Sequence, residues 1–249
     1  MSKRDAIYAK LPVWAQHLAV SGYGLYWHWL RFGPGFNAYL RSSQERENYT
    51  VDQWKAWQDQ QLRRVLSAAL AAPYYRQAWT PAQKQAAIEN DLLSLPLLEK
   101  EPLRAAPEAF LRVNMKPLCK LVFFTSGSTG TPLATYWTVP ELRQSLALRE
   151  ARSANWANVS FKMPRATFSS RMVVPDPDSQ GPFYRYNAAE KQVYLSPFHL
   201  RADSAKRYVQ ALQKHQVQWL TGYAVSYYLL AKHILDQGLD VPLLRAVIT

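Results

Sequence analysis

Apolar positions recur at helical spacing after Thr50, where Trp54, Leu62, Val65, Leu66 and Ala69 share one face of a helix predicted to run to about Ala72. Thr50-Val51-Asp52-Gln53 is a capping box that starts it, and Pro73 stops it before Tyr74 and Tyr75, which read as core aromatics. A second capping box, Thr80-Pro81-Ala82-Gln83, has proline at the first helical position. Further on, Thr138 with Glu141 three residues later predicts a helix extending towards Trp156 and carrying Leu142, Leu146 and Leu148. The run Pro175 to Pro182 is turn chemistry throughout, and predicts a surface loop between a strand at about 172–174 and another at 192–195. From Leu195 the order is strand, helix, strand, helix, strand, with helices near 203–215 and 226–236 and a buried strand at 243–249. Such alternation implies a right-handed parallel α/β layer.

One interval breaks this regularity. Residues 121–138 read LVFFTSGSTGTPLATYWT, an apolar run interrupted by small and hydroxylated residues and then resumed as aromatic β-former. Gly127 and Gly130 let main-chain N–H groups approach an anion closely, while Thr125, Ser126, Ser128, Thr129 and Thr131 add short hydroxyl donors. Two readings stand side by side: a phosphate-cradling loop, and a plain turn of the kind such residues commonly form. The insert is longer than a tight hairpin needs. No lysine follows Gly130, so it is not a Walker loop, and two glycines do not make the dinucleotide fingerprint. The spacing also misses the nucleophile elbow.

The unbroken string Thr125-Ser126-Gly127-Ser128-Thr129-Gly130-Thr131-Pro132 resembles the ATP-binding loop of adenylate-forming enzymes, the superfamily of acyl-CoA synthetases, peptide-synthetase adenylation domains and luciferases. Within it, IYAKLPVWAQHLAVSGYG, APYYRQ around Tyr74, SLPLLEKEPLR around Pro96 and TGYAVSYYLLAKHIL resemble the phenylacetate-CoA ligase-like branch, which includes proteins of capsular polysaccharide synthesis. The resemblance implies an α/β fold, the N-terminal part of an adenylate-forming large domain, with mixed and parallel sheets flanked by helices. It divides the chain into an aromatic-rich segment, 1–48, packing on the main domain, and a partial AMP-binding domain, 49–249. It implies ATP with Mg²⁺, a small-molecule carboxylic acid, and CoA as acceptor. Residues 125–131 would hold the nucleotide phosphates.

Two more positions enter through the resemblance. Ser196-Pro197-Phe198-His199 is similar to the family segment that lines the acyl pocket, and His199 follows a strand end, where open α/β sheets place ligands. It is either a ligand-binding or a satisfied structural histidine. Tyr223, in Thr221-Gly222-Tyr223-Ala224-Val225-Ser226, either walls the acid or packs under its loop; Ala224-Val225 departs from the family's usual Pro-Ser. Family members continue past the strand at 243–249 into segments that hold Mg²⁺, adenine and ribose and into a mobile domain with a catalytic lysine. The expectation is therefore the first half of an AMP-forming acid-CoA ligase, completed elsewhere, or a catalytically incomplete or partner-dependent half.

Composition narrows the alternatives. With 48% hydrophobic and 13% aromatic residues among 249, the chain builds a sizeable core. Its formal charge of +12 suits anionic partners, but the positives are scattered singly or in pairs. Gly127 to Gly130 formally satisfies the GXXG of KH domains; strands flank it and no Lys or Arg lies inside, so no nucleic-acid partner is expected. Cys119 stands alone, which points to a reducing cytoplasm and to a small buried hydrophobe. No charge occurs between Lys10 and Arg31, yet Pro12, Gln16, His17 and His28 make the segment too polar to span a bilayer. Its Trp and Tyr residues suit either packing on the main domain or peripheral contact through 11–36 with the inner membrane face, Arg31 meeting headgroups.

Overall fold

A computed structural model of the chain describes residues 3–112, 115, 118, 121–125, 132–169 and 172–249. In chain order the elements are α1 (Lys3–Ala9), α2 (Val13–Phe32), α3 (Phe36–Glu45), α4 (Val51–Leu70), α5 (Pro73–Ala78), α6 (Pro81–Glu89) and α7 (Lys100–Ala105), followed by β1 (Leu121–Phe124), β2 (Ala134–Trp137) and α8 (Val139–Arg149). Then come β3 (Arg165–Phe168), β4 (Tyr184–Asn187), β5 (Gln192–Leu195), α9 (Ala205–Lys214), β6 (Trp219–Gly222), α10 (Ala224–Gln237) and β7 (Ala246–Ile248). The fold class is α/β. Two compact units are present, one formed by Met1–Leu40 with Leu146–Thr249, the other by Arg41–Ser145.

In the second unit both capping boxes close reciprocally: Thr50 and Thr80 accept from the backbone N–H of Gln53 and Gln83, whose side chains accept from the threonine N–H groups. Leu66, Trp79 and Ala87 form the buried centre of α4, α5 and α6, with Leu62 and Ala69 against them. Val65, expected on that apolar face, is exposed instead. Residues 73–78, predicted only as a helix stop, form α5, because proline suits a first helical turn as well as it ends the preceding one. Thr138 and Glu141 cap α8 in the same reciprocal manner.

The first unit is built on a five-stranded sheet of order β4-β5-β3-β6-β7, parallel except for β4. Registers Ala166↔Val193 and Phe168↔Leu195 put four apolar side chains on one face, where Tyr208 and Leu212 of α9 and Tyr227 and Leu230 of α10 bury them. Two expectations are corrected here. Residues 172–174 are a bend rather than a strand; Val173 is buried beneath α1, its carbonyl accepting the Tyr8 hydroxyl at 3.0 Å, so burial replaces strand pairing. The strand lies earlier, at β3, hidden from a hydrophobic pattern by Arg165 at its start. The last strand, expected buried, is an edge with Val247 half-exposed.

Helix α2 serves the other free edge. An edge strand leaves N–H and C=O groups unpaired, and on β4 the Tyr186 N–H donates to His17 Nδ1 (2.9 Å). One turn along, Ser21 donates to the Tyr186 carbonyl (3.3 Å) and accepts from Ala188 N–H (3.1 Å). Gly24, one turn further, has no side chain because a Cβ there would collide with the amide of Asn187. Glycine inside a helix costs roughly 1 kcal/mol relative to alanine, so close approach of helix to strand is what the position requires. Among the described residues no helix is long and apolar enough to cross a membrane.

A buried carboxylate locks the arrangement. Glu190 receives Arg165 at 3.0 Å and Arg31 at 3.1 and 3.2 Å, while Arg165 also donates to the Glu190 carbonyl (3.0 Å) and to Gln192 (2.7 Å). The side chain of Glu190 is fully enclosed and that of Arg165 nearly so, at 0% and 3% exposure. Burial lowers the Arg165 pKa, and the facing Glu190 charge opposes that shift. Arg31, expected to meet lipid headgroups, is thus turned into the protein.

Two predictions follow from this packing. Removing one partner of a buried ion pair costs roughly 3–5 kcal/mol because it strands the other charge. Glu190→Leu is therefore expected to lose about that much in urea denaturation, and Arg31→Met less, since Arg31 keeps solvent contact. Equal, small losses would show that the network contributes nothing net. The second concerns pH. His215, stacked on Tyr186 at 4.1 Å, is pushed down to about 4, by burial first and then by Lys214 and His17; His17 is lowered by burial first and then by Arg185 and Lys214. Groups whose pKa falls on folding contribute stability above their unfolded value, near 6.5, which is lost as pH falls towards the folded one. Stability should hold from pH 8 to 7 and decline between about pH 6.5 and 4, less steeply in His215→Phe. Identical slopes for variant and wild type would refute the assignment.

Candidate functional site

The C-terminal ends of β3, β5 and β6 reach one edge of the sheet, at Phe168, Leu195 and Gly222. In open α/β sheets ligands bind outside such an edge. Gly222 has φ +137°, and a Cβ there would drive into the carbonyl of Phe168. The neighbouring hydroxyl of Tyr227, whose pKa burial pushes up, donates to the Thr221 carbonyl (2.7 Å) and accepts from Phe168 N–H (3.3 Å), pinning both strand ends. Tyr223 follows directly as the residue preceding α10, with its ring about half exposed, and Phe198 and Val225 are exposed as well. The edge therefore presents an apolar, partly aromatic surface on a rigid base.

His199 has a different position. It is 2% exposed and stacked on Phe183 at 5.2 Å. Its Nδ1 lies 2.7 Å from Ser196 Oγ and its Nε2 2.8 Å from the Asp176 carbonyl. A carbonyl only accepts, so Nε2 carries the proton and Nδ1 accepts from the serine. Both nitrogens are used inside the protein, fastening the Pro175 to Pro182 turn to the end of β5. The turn is made as its residues dictate, Asp178 N–H donating to the Asp176 side chain at 3.0 Å.

Residues 126–131 of the glycine- and hydroxyl-rich loop lie outside the described residues, as does Cys119. Its flanks are described. β1 and β2 pair antiparallel from Leu121↔Trp137 to Phe124↔Ala134. Thr125 extends the ladder by one step: its N–H donates to the Leu133 carbonyl, and its hydroxyl oxygen accepts from Leu133 N–H, both at 3.0 Å. Thr125 is thus a clasp at the mouth of the loop. Among the described residues no group of three or more His, Cys, Asp or Glu is placed to hold a metal ion.

No family model matches this sequence. The chain is similar to Protein CapK of Staphylococcus aureus. The identity is 26% over 147 residues, covering 59% of this chain and 32% of that protein.

Several residues that shape the sites were not legible in the sequence. Tyr227, Arg165 and Glu190 act through buried polar contacts to distant segments, and a charge or tyrosine hydroxyl carries no local mark of such a partner. The one available signal was Gly222 between a strand and a helix, since glycine at such a junction announces a close backbone approach.

Proposed function

We propose that this chain takes part in ATP-dependent activation of a carboxylic acid to an acyl-adenylate, with transfer to CoA, in the service of capsule or cell-surface polysaccharide biosynthesis. The observation that carries the reading is the loop string Thr125 to Pro132 hung from an antiparallel pair whose mouth is clasped by Thr125 and Leu133. Similarity to CapK supports the capsule-related part. The chain spans about a third of that protein's length, so the activity of a whole enzyme is part of the proposal.

In the proposed reaction a carboxylate oxygen attacks the α-phosphorus of ATP. One P–O bond forms, the bond to the β-phosphate oxygen breaks, and pyrophosphate leaves with the electron pair. No general base is needed, because a carboxylic acid with pKa about 4 is already ionised at neutral pH. Catalysis then rests on positioning and charge stabilisation. Ser126, Ser128, Thr129 and Thr131 would donate to the β and γ phosphates, with Gly127 and Gly130 permitting close approach. Mg²⁺ would enter with the nucleotide, neutralising phosphate charge. Tyr223, exposed as Phe198 is, is assigned to the apolar part of the acid, and His199 to holding the sheet edge in place.

Peripheral membrane contact belongs to the same proposal. At 100° per residue, Trp14, Leu18, Leu25 and Trp29 fall within a narrow arc of α2, and all four are exposed, the two tryptophans at 67% and 61%. Tryptophan favours the bilayer interface, and a chain of net charge +12 is attracted to an anionic surface.

Calorimetric titration of the 249-residue chain with ATP is expected to show binding that Gly130→Val weakens at least tenfold with an unchanged circular dichroism spectrum. ATP affinity unaltered by the substitution, or preference for single-stranded RNA, would defeat the nucleotide assignment. For the membrane, sedimentation with vesicles containing phosphatidylglycerol should carry the protein down, and a Trp14→Ser, Leu18→Ser, Trp29→Ser variant should stay in solution. Equal sedimentation of both would place the contact elsewhere.

A further inference from the structure

A cleft of about 330 Å³ lies in the first unit between α9 and the turn that leads into β4. That volume is at the small end of ligand sites. Arg207, Gln210 and Lys214, spaced i, i+3, i+7, line it from one face of α9, while Tyr208 and Leu212 of the same helix go into the core. Gln180, Pro182 and Tyr184 line its other wall.

Charge around this space is unbalanced. No Asp or Glu lines it. None of the ion pairs among the described residues includes Arg207, Lys214 or the buried Arg185. Arg185 donates to Gln16 Oε1 (2.6 Å) and to the carbonyls of Pro182 (2.8 Å) and Tyr184 (2.7 Å). Two residues of the cleft wall thus hold a guanidinium by neutral acceptors, which satisfy its N–H groups without cancelling its charge. The Tyr184 ring also meets those of His17 and His215, at 5.7 and 5.3 Å. Both histidines are lowered by burial first; Arg185 and Lys214 then act on His17, and Lys214 and His17 on His215. Their depression reports the same excess of positive charge.

Arg207 is held in place for a ligand. Its Nη1 donates to the Gln180 carbonyl, and the guanidinium lies 5.4 Å from the centre of the Phe183 ring. The carbonyl occupies one arm of the planar fork, and the other donors remain to grip an oxyanion.

We propose that this cleft binds the phosphate group of a phosphomonoester, Arg207 and Lys214 meeting its charge and the Gln210 amide donating to a further oxygen. Such a group carries roughly two negative charges at neutral pH and several acceptor oxygens, a better match to two cations and an amide than a carboxylate offers. The site is distinct from the loop at 125–131 and stands independently of the nucleotide reading.

Calorimetric titration of the full chain with phenyl phosphate at low salt is expected to show binding, with benzoate about fivefold weaker. Arg207→Gln and Lys214→Gln, both at exposed positions, should each weaken phenyl phosphate by about fivefold with the circular dichroism melt retained. Lys206→Gln, which removes the same charge from α9 outside the cleft, should leave the affinity unchanged. Sedimentation with phosphatidic acid vesicles separates the two sources of such a group. Pelleting that the Arg207→Gln, Lys214→Gln double variant loses, without binding of phenyl phosphate, would assign the phosphate to a lipid headgroup. Binding of neither probe, pelleting that the double variant retains when phenyl phosphate does not bind, benzoate equal to phenyl phosphate, or an equal loss in the Lys206 variant would each overturn the proposal. So would a phenyl phosphate affinity that Gly130→Val weakens and the α9 variants leave intact, an outcome that leaves the nucleotide reading standing.

Discussion

The buried carboxylate of Glu190 is the constraint on which the first unit depends. Two guanidinium groups from segments far apart in the chain, Arg31 at the end of α2 and Arg165 at the start of β3, converge on it. Isolated, each ion would be prohibitively costly to bury; together, with the Gln192 amide oxygen and the Glu190 carbonyl taking the remaining Arg165 donors, each is matched. A buried pair of this kind gives little net stability compared with an apolar replacement. What it supplies is register. α2 can meet the sheet in few ways that satisfy Glu190, and the same seating brings His17 and Ser21 against the open edge of β4 and Gly24 against Asn187.

This explains which parts of the fold were readable from sequence. Capping boxes are local, their partners three residues apart, and those at Thr50 and Thr80 formed as their residues specify. The alternation after Leu195 was equally plain, because α9 and α10 each lay an apolar stripe on parallel strands. What failed depended on distant partners. Arg165 opening a strand looks like a surface position until Glu190 is placed behind it. Val173 and Val174 look like a strand until Tyr8 is seen to occupy the Val173 carbonyl. The strand at 246–248 was expected buried from its own residues, but a strand at the end of a sheet is covered only by what lies beyond it.

The candidate site divides along the same line. The strands flanking the Thr125 to Pro132 string were legible because apolar β-formers on either side are written locally, and they are seen paired as β1 and β2. His199 was correctly located at a strand end, yet proximity to an edge does not tell whether a ring nitrogen is open. Ser196 and Asp176 take both. Tyr223 kept its exposure because Gly222 turns the chain outward and the hydroxyl that pins this corner comes from Tyr227 one helical turn later.

Helix α2 has apolar residues around almost its whole circumference, a pattern ordinarily found in helices enclosed on all sides. Its inner face is accounted for by the sheet edge and by Glu190. On the outer arc Trp14, Leu18, Leu25 and Trp29 are exposed, and they are too many and too aligned for scattered surface hydrophobes, which occur singly. An interfacial role needs the outer arc rigidly presented. The polar fastenings at His17, Ser21 and Arg31 meet that need by fixing the helix to the sheet and to Glu190.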